Sequence, residues 1–182
     1  MRKLNAILGM AILALFLLHI IVGSLQLAGL IHGGNAVMSA GAWLLVAAVA
    51  VHTVIGIKLT ADTLIALKKS GASYFRENEL FWVRRISGFA LMFFIAAHMI
   101  QFMGSGSGGG FRLNLFDVPQ LVMSVLLVLS LLLHVVTNIR PLMLALGARG
   151  AKEFIADAAV VLSFLLLVSG AAFVVYFLRW QV

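Results

Sequence analysis

The sequence predicts an all-α integral membrane protein, a single domain over residues 1–182 built as a bundle of five transmembrane helices, N-terminus inside and C-terminus outside. Three observations carry this prediction. Hydrophobic residues make up 63% of the chain and charged residues 10%, where a soluble domain holds about 45–50% and about 25%. The charges that do occur separate uncharged runs long enough to cross a bilayer, which takes about 20 residues. Most of the 13 Lys and Arg residues fall on one side of the resulting topology. A net charge of +7 would suit nucleic acid in a soluble protein, but here the charges sit at the ends of apolar runs, so no nucleic-acid role is expected.

The spans follow in order. No charge occurs between Lys3 and Lys58, a run too long for one crossing and interrupted by the turn signal His32-Gly33-Gly34-Asn35. It reads as a helical hairpin, roughly 4–31 and 36–58. Three further runs predict helices near 80–103, 118–139 and 154–179. Lipid offers no partners to backbone N–H and C=O groups, so each crossing must be helical. Met1-Arg2-Lys3 before an apolar run resembles the start of a secretory signal. The run continues well past such a segment and no small-x-small site follows, so this span is expected to be retained.

With the N-terminus inside, Arg2, Lys3, Lys58, Lys68, Lys69, Arg76, Arg84, Arg85, Arg140, Arg149 and Lys152 lie inside, and only Arg112 and Arg179 outside. That is a positive-inside distribution. The outer connection Gly104–Gly110 is flexible by composition. The inner segment 59–79 is the longest polar stretch, with Tyr74 and Phe75. It reads either as a solvated loop at an anionic leaflet or as a docking surface for a cytoplasmic subunit.

Four of the five histidines fall within separate spans: His19, His52, His98 and His134. Ionisable groups inside a membrane are costly and are functional candidates. At about 1.5 Å per residue, His19 and His98 lie roughly 22 and 27 Å from the inner face, while His52 and His134 lie about 9 Å from it. They sort into an outer pair and an inner pair, each drawn from two helices. With no cysteine in the chain and no central carboxylate, zinc or non-haem iron would lack ligands. Two imidazoles at one depth suit axial ligation of a haem, so two b-type haems are expected, His19/His98 outer and His52/His134 inner. Gly23 and Gly56 lie one turn beyond His19 and His52 and leave room for a macrocycle; Asn138 and Phe102 hold the equivalent places after His134 and His98. Lys58 and Arg140, joined by Arg84 and Arg85, are placed to pair with inner propionates, or serve simply as interfacial anchors. His52-Thr53-Val54-Ile55-Gly56-Ile57-Lys58 parallels His134-Val135-Val136-Thr137-Asn138-Ile139-Arg140, so the first four helices read as two related hairpins. The fifth carries no histidine and is expected only to pack.

Arg85-Ile86-Ser87-Gly88 and His134-Val135-Val136-Thr137-Asn138-Ile139-Arg140 resemble the R-x-S-G and H-x-x-x-G-I-R elements of the succinate dehydrogenase/fumarate reductase cytochrome b subunits, with Asn138 where the family often has Gly. Five spans with four ligand histidines resemble the subclass with one large di-haem anchor. The resemblance implies a subunit of the cell inner membrane that binds a cytoplasmic iron–sulfur subunit and a flavoprotein and exchanges electrons with quinone or menaquinone. It implies that Arg85 and Ser87, with Arg84, lie near propionates or quinone. For a quinone near the outer haem, His32, Asn35, Arg112 and Asp117 are the nearby polar groups, and His32 is a candidate proton acceptor. Membrane-embedded glutamates used by some di-haem members are missing here. The competing readings are the di-haem subunit of another respiratory oxidoreductase (hydrogenase, formate dehydrogenase or ferric reductase) and a proton-coupled transporter using buried histidines.

Overall fold

The structure, a computed structural model, describes residues 1–32, 36–71, 79–102, 116–148 and 152–179. The expected turn residues Gly33, Gly34 and Asn35, the aromatic pair Tyr74 and Phe75, and Gly104–Gly110, Arg76, Arg112 and Arg149 lie outside the described residues. Five helices follow one another: α1 (Arg2–Leu27), α2 (Ala36–Ser70), α3 (Glu79–Phe102), α4 (Val118–Ala145) and α5 (Lys152–Arg179). All five are long and apolar enough to cross a membrane, and no strand occurs among the described residues. Large apolar side chains stand exposed on every helix, among them Leu18, Val37, Ile100, Leu133 and Val160. That much exposed apolar surface suits lipid rather than water.

The helix ends are set by local chemistry. α1 stops at Leu27 rather than 31 because Gly29 takes a φ of 74°. The Leu30 N–H then reaches the Leu25 carbonyl and the Gly29 N–H the Gln26 carbonyl, a Schellman motif. α4 ends the same way: Gly147 has φ 94°, and the Ala148 N–H bonds the Met143 carbonyl. Helix therefore runs to Ala145, six residues past the expected end, and through Pro141. At its start, Asp117 and Gln120 form a reciprocal capping box, which engages the Asp117 carboxylate in helix initiation.

The largest departure is α2. Residues 59–70 continue the helix instead of forming a polar loop. The hydroxyls of Thr60 and Thr63 donate to the carbonyls of Gly56 and Leu59, both at 2.7 Å, and Lys68 and Lys69 occupy the last turn, where cations suit the helix dipole. A charge ends an apolar run without ending a helix. At 35 residues, α2 is about 50 Å long, well beyond the roughly 30 Å hydrocarbon thickness.

Helices α1 and α5 run parallel, their C-terminal ends together. α3 lies most closely on α4, α4 on α5, and α1 on α2, α5 and α4. The main core is built around α5: Leu166, Ala172, Phe173 and Tyr176 join Leu27, Phe116 and Val128. Gly170 lets α5 approach α4 there, since a Cβ would stand 3.4 Å from a Val128 methyl. Arg179 fastens the end of α5 to that of α1 by donating to the Ala28 carbonyl at 2.7 Å.

Candidate functional site

The four histidines sit at two levels of the bundle, His19 and His98 in ring contact at one and His52 and His134 at the other. At the end holding the N-terminus, His52 of α2 and His134 of α4 stand within electrostatic reach of one another and of Arg85. At the opposite end, the ring centroids of His19 on α1 and His98 on α3 are 6.2 Å apart with planes at 79°.

The N-terminal end is polar. His134 Nδ1 lies 3.2 Å from Ser87 Oγ, and Ser87 Oγ donates to the Arg84 carbonyl at 3.2 Å. Gly88 packs directly on the ring; a Cβ there would come within 3.3 Å of His134 Cε1. Arg84 Nε donates to the Thr137 carbonyl at 2.8 Å. That carbonyl needs an outside donor because the residue four positions on is Pro141, which has no N–H to give. Arg84, expected near propionates, thus commits its Nε to repairing α4. Arg85 lies over the Phe81 ring at 5.0 Å, a cation–π contact. Asn138 donates to the His134 carbonyl at 2.7 Å. Lys58 and Arg140 are exposed at this end, with no described contact to either histidine.

The opposite end is aromatic. Phe102 stacks on His98 at 4.5 Å with a 34° tilt, and Phe173 meets it edge-on at 6.3 Å, so α5 contributes to this site as well as to the core. Stacking covers a face of the imidazole, and its Nδ1 is buried without a hydrogen-bond partner. One turn on, the buried Ser124 hydroxyl donates to the Gln120 carbonyl at 2.9 Å and lies 3.4 Å from the Gln101 side-chain amide. His32 is exposed beyond α1, its carbonyl accepting from Gln26 Nε2 at 3.4 Å, and it joins neither pair.

The residues present fit haem. His19 and His98, with ring centroids 6.2 Å apart, would be the residues to hold one such group between them. Among the described residues, His52 Nδ1 and His98 Nδ1 are buried without a hydrogen-bond partner, an arrangement that costs about 1–3 kcal/mol per group if nothing engages them. A Cβ on Gly23 or Gly56 would meet nothing within 4 Å, so open space lies one turn from His19 and His52. No group of three or more His, Asp or Glu side chains suited to a metal occurs among the described residues.

Two glycines escaped the sequence reading as site residues. Gly9 faces His52, a Cβ there falling 3.9 Å from Cε1, as Gly88 faces His134. Each precedes the histidine of its own helix by ten residues, Gly9 to His19 and Gly88 to His98. This spacing extends the two-hairpin repeat and would have revealed both. It also separates the two histidine levels by about 15 Å. Compared with known protein families, curated proteins and solved structures, the chain matches none.

Proposed function

We propose that this chain is the membrane-embedded electron-transfer subunit of a succinate:quinone or quinol:fumarate oxidoreductase, carrying two b-type haems. The observation that supports the reading above all others is the placement of four imidazoles from four helices at two levels of the bundle, two at each. His52 and His134 would hold one haem and His19 and His98 the other, and haem supplies one-electron transfer. The protein's part is to exclude water, hold the imidazoles at fixed depth and set the charge around them. Phe102 and Phe173 keep the His98 site apolar, while Arg85 places positive charge beside His52 and His134. In this reading the N-terminal end faces the cytoplasm, where the iron–sulfur subunit and flavoprotein dock, and quinone serves as the membrane-side redox partner.

The test is a reduced-minus-oxidised optical spectrum of the purified full chain, with identification of co-purifying subunits. Two b-type haems per chain with an iron–sulfur protein and a flavoprotein are expected. Haem with a hydrogenase or formate dehydrogenase partner would move the chain to a different respiratory enzyme. A folded, haem-supplemented preparation that stays colourless would remove the reading altogether.

A further inference from the structure

We infer that Ser87 is a positioning residue for His134, holding the imidazole in the tautomer that carries its proton on Nδ1 and keeps the lone pair on Nε2. The use of that lone pair rests on the haem reading above; the tautomer itself does not. A serine hydroxyl has one proton and two lone pairs. Ser87, only 3% exposed, spends its proton on the Arg84 carbonyl. With that proton on the Arg84 carbonyl, the oxygen is left to accept from His134 Nδ1, 3.2 Å away, and in this arrangement Nδ1 carries the hydrogen. Ligand histidines characteristically donate their second N–H in this way, which fixes the ring and strengthens the ligating nitrogen.

What holds Ser87 in place is a chain of dependencies across two helices. Pro141 removes the donor that the Thr137 carbonyl would otherwise receive. Arg84 supplies the replacement at 2.8 Å, pinning the first turns of α3 to the last turns of α4. The backbone of Gly88 then approaches the ring so closely that a Cβ there would stand 3.3 Å from Cε1. The repeat supplies an internal control. Shifting by the spacing that superposes Gly88 on Gly9 puts Leu8 where Ser87 stands and Asn5 where Arg84 stands. Leu8 has no hydroxyl, and His52 Nδ1 is buried without a partner.

The experiment is ¹⁵N-histidine NMR of the full chain, prepared without haem in detergent or nanodiscs at mildly alkaline pH, with His134 assigned by its loss in His134→Gln. The wild-type His134 should be protonated on Nδ1. Ser87→Ala should shift the proton to Nε2, and Ser87→Thr, which keeps the hydroxyl, should restore it. Protonation on Nε2 in the wild type, or an unchanged tautomer in a Ser87→Ala variant with wild-type circular dichroism, overturns the inference. In haem-loaded protein, Ser87→Ala should weaken retention of the His52/His134 haem on the order of 10–100-fold and leave the other haem unaffected; equal loss of both, or of neither, also overturns it. If the wild type takes up no haem, the functional reading falls while the tautomer measurement still decides the role of Ser87.

Discussion

The two ends of the bundle solve one problem with different surroundings. At the N-terminal end, His134 is held by a serine, a close glycine contact and an arginine-bridged backbone, and Arg85 stands within reach of both rings. At the opposite end, His98 is held by shape alone, between Phe102 and Phe173, with its Nδ1 unpaired. Ligand identity is the same at both; charge, polarity and hydrogen bonding are not. Those are the levers by which a protein separates the potentials of chemically identical haems. If haem binds as proposed, the positive charge of Arg85 would favour the reduced form at the polar end.

The sharpest way to break the comparison is to fill one end at a time. Gly88→Val drives side-chain atoms into the His134 ring, and Gly23→Leu fills the open space one turn from His19. Each should remove one haem of two, Gly88→Val at the N-terminal end and Gly23→Leu at the other, as read by haem content and the shape of the reduced spectrum. If either substitution spared both haems, that glycine would not border a macrocycle.

A subtler contrast is electrostatic. Arg85→Gln should lower the midpoint potential of the N-terminal haem by on the order of tens of millivolts, since a removed positive charge at moderate effective dielectric acts over several ångströms, and leave the other potential nearly unchanged. Redox titration followed optically checks this. Equal shifts in both waves would show that the ends do not differ as described.

Arg84 and Pro141 test the backbone repair. Arg84→Ala should destabilise the protein by about 1–3 kcal/mol, the cost of a buried carbonyl left unpaired. In a Pro141→Ala background, where the helix regains its own N–H, the same change should cost distinctly less. Thermal unfolding of the four members of this cycle gives the coupling. Strict additivity would mean that Arg84 does not serve the Thr137 carbonyl. The smallest effect belongs to the opposite end: Ser124→Ala removes the buried hydroxyl that donates to the Gln120 carbonyl and touches the Gln101 amide and should cost about 1 kcal/mol, measured by the same unfolding curves, without changing either haem.

How much of this was legible in the sequence depended on the range of the physics involved. The five spans follow from uncharged runs and the helical rise, and the sorting of four histidines into two levels needed only counting along each helix. The overrun of α2 was not legible from charge, because Lys58 marks where apolarity ends while Thr60, Thr63 and the Lys68-Lys69 turn sustain the helix beyond it. The stops at Gly29 and Gly147 were local and readable in principle as αL caps. The backbone partner of Arg84 Nε was not legible for a different reason. It depends on which carbonyl Pro141 leaves free and on α3 crossing α4 at that level, and only the first of these is written in the local sequence. Gly9 and Gly88 lay within a visible ten-residue spacing, but a glycine announces a close approach without naming the side chain that approaches it.

The central claim is that the four imidazoles act as two separate pairs. It is tested most directly by counting haems per chain in His19→Ala, in His98→Ala and in the double variant, against wild type. The account predicts two haems in the wild type and the same single haem, that of His52 and His134, in all three variants, with no further loss on combining the substitutions. Progressive loss in the double variant, or retention of different haems in the two single variants, would contradict it.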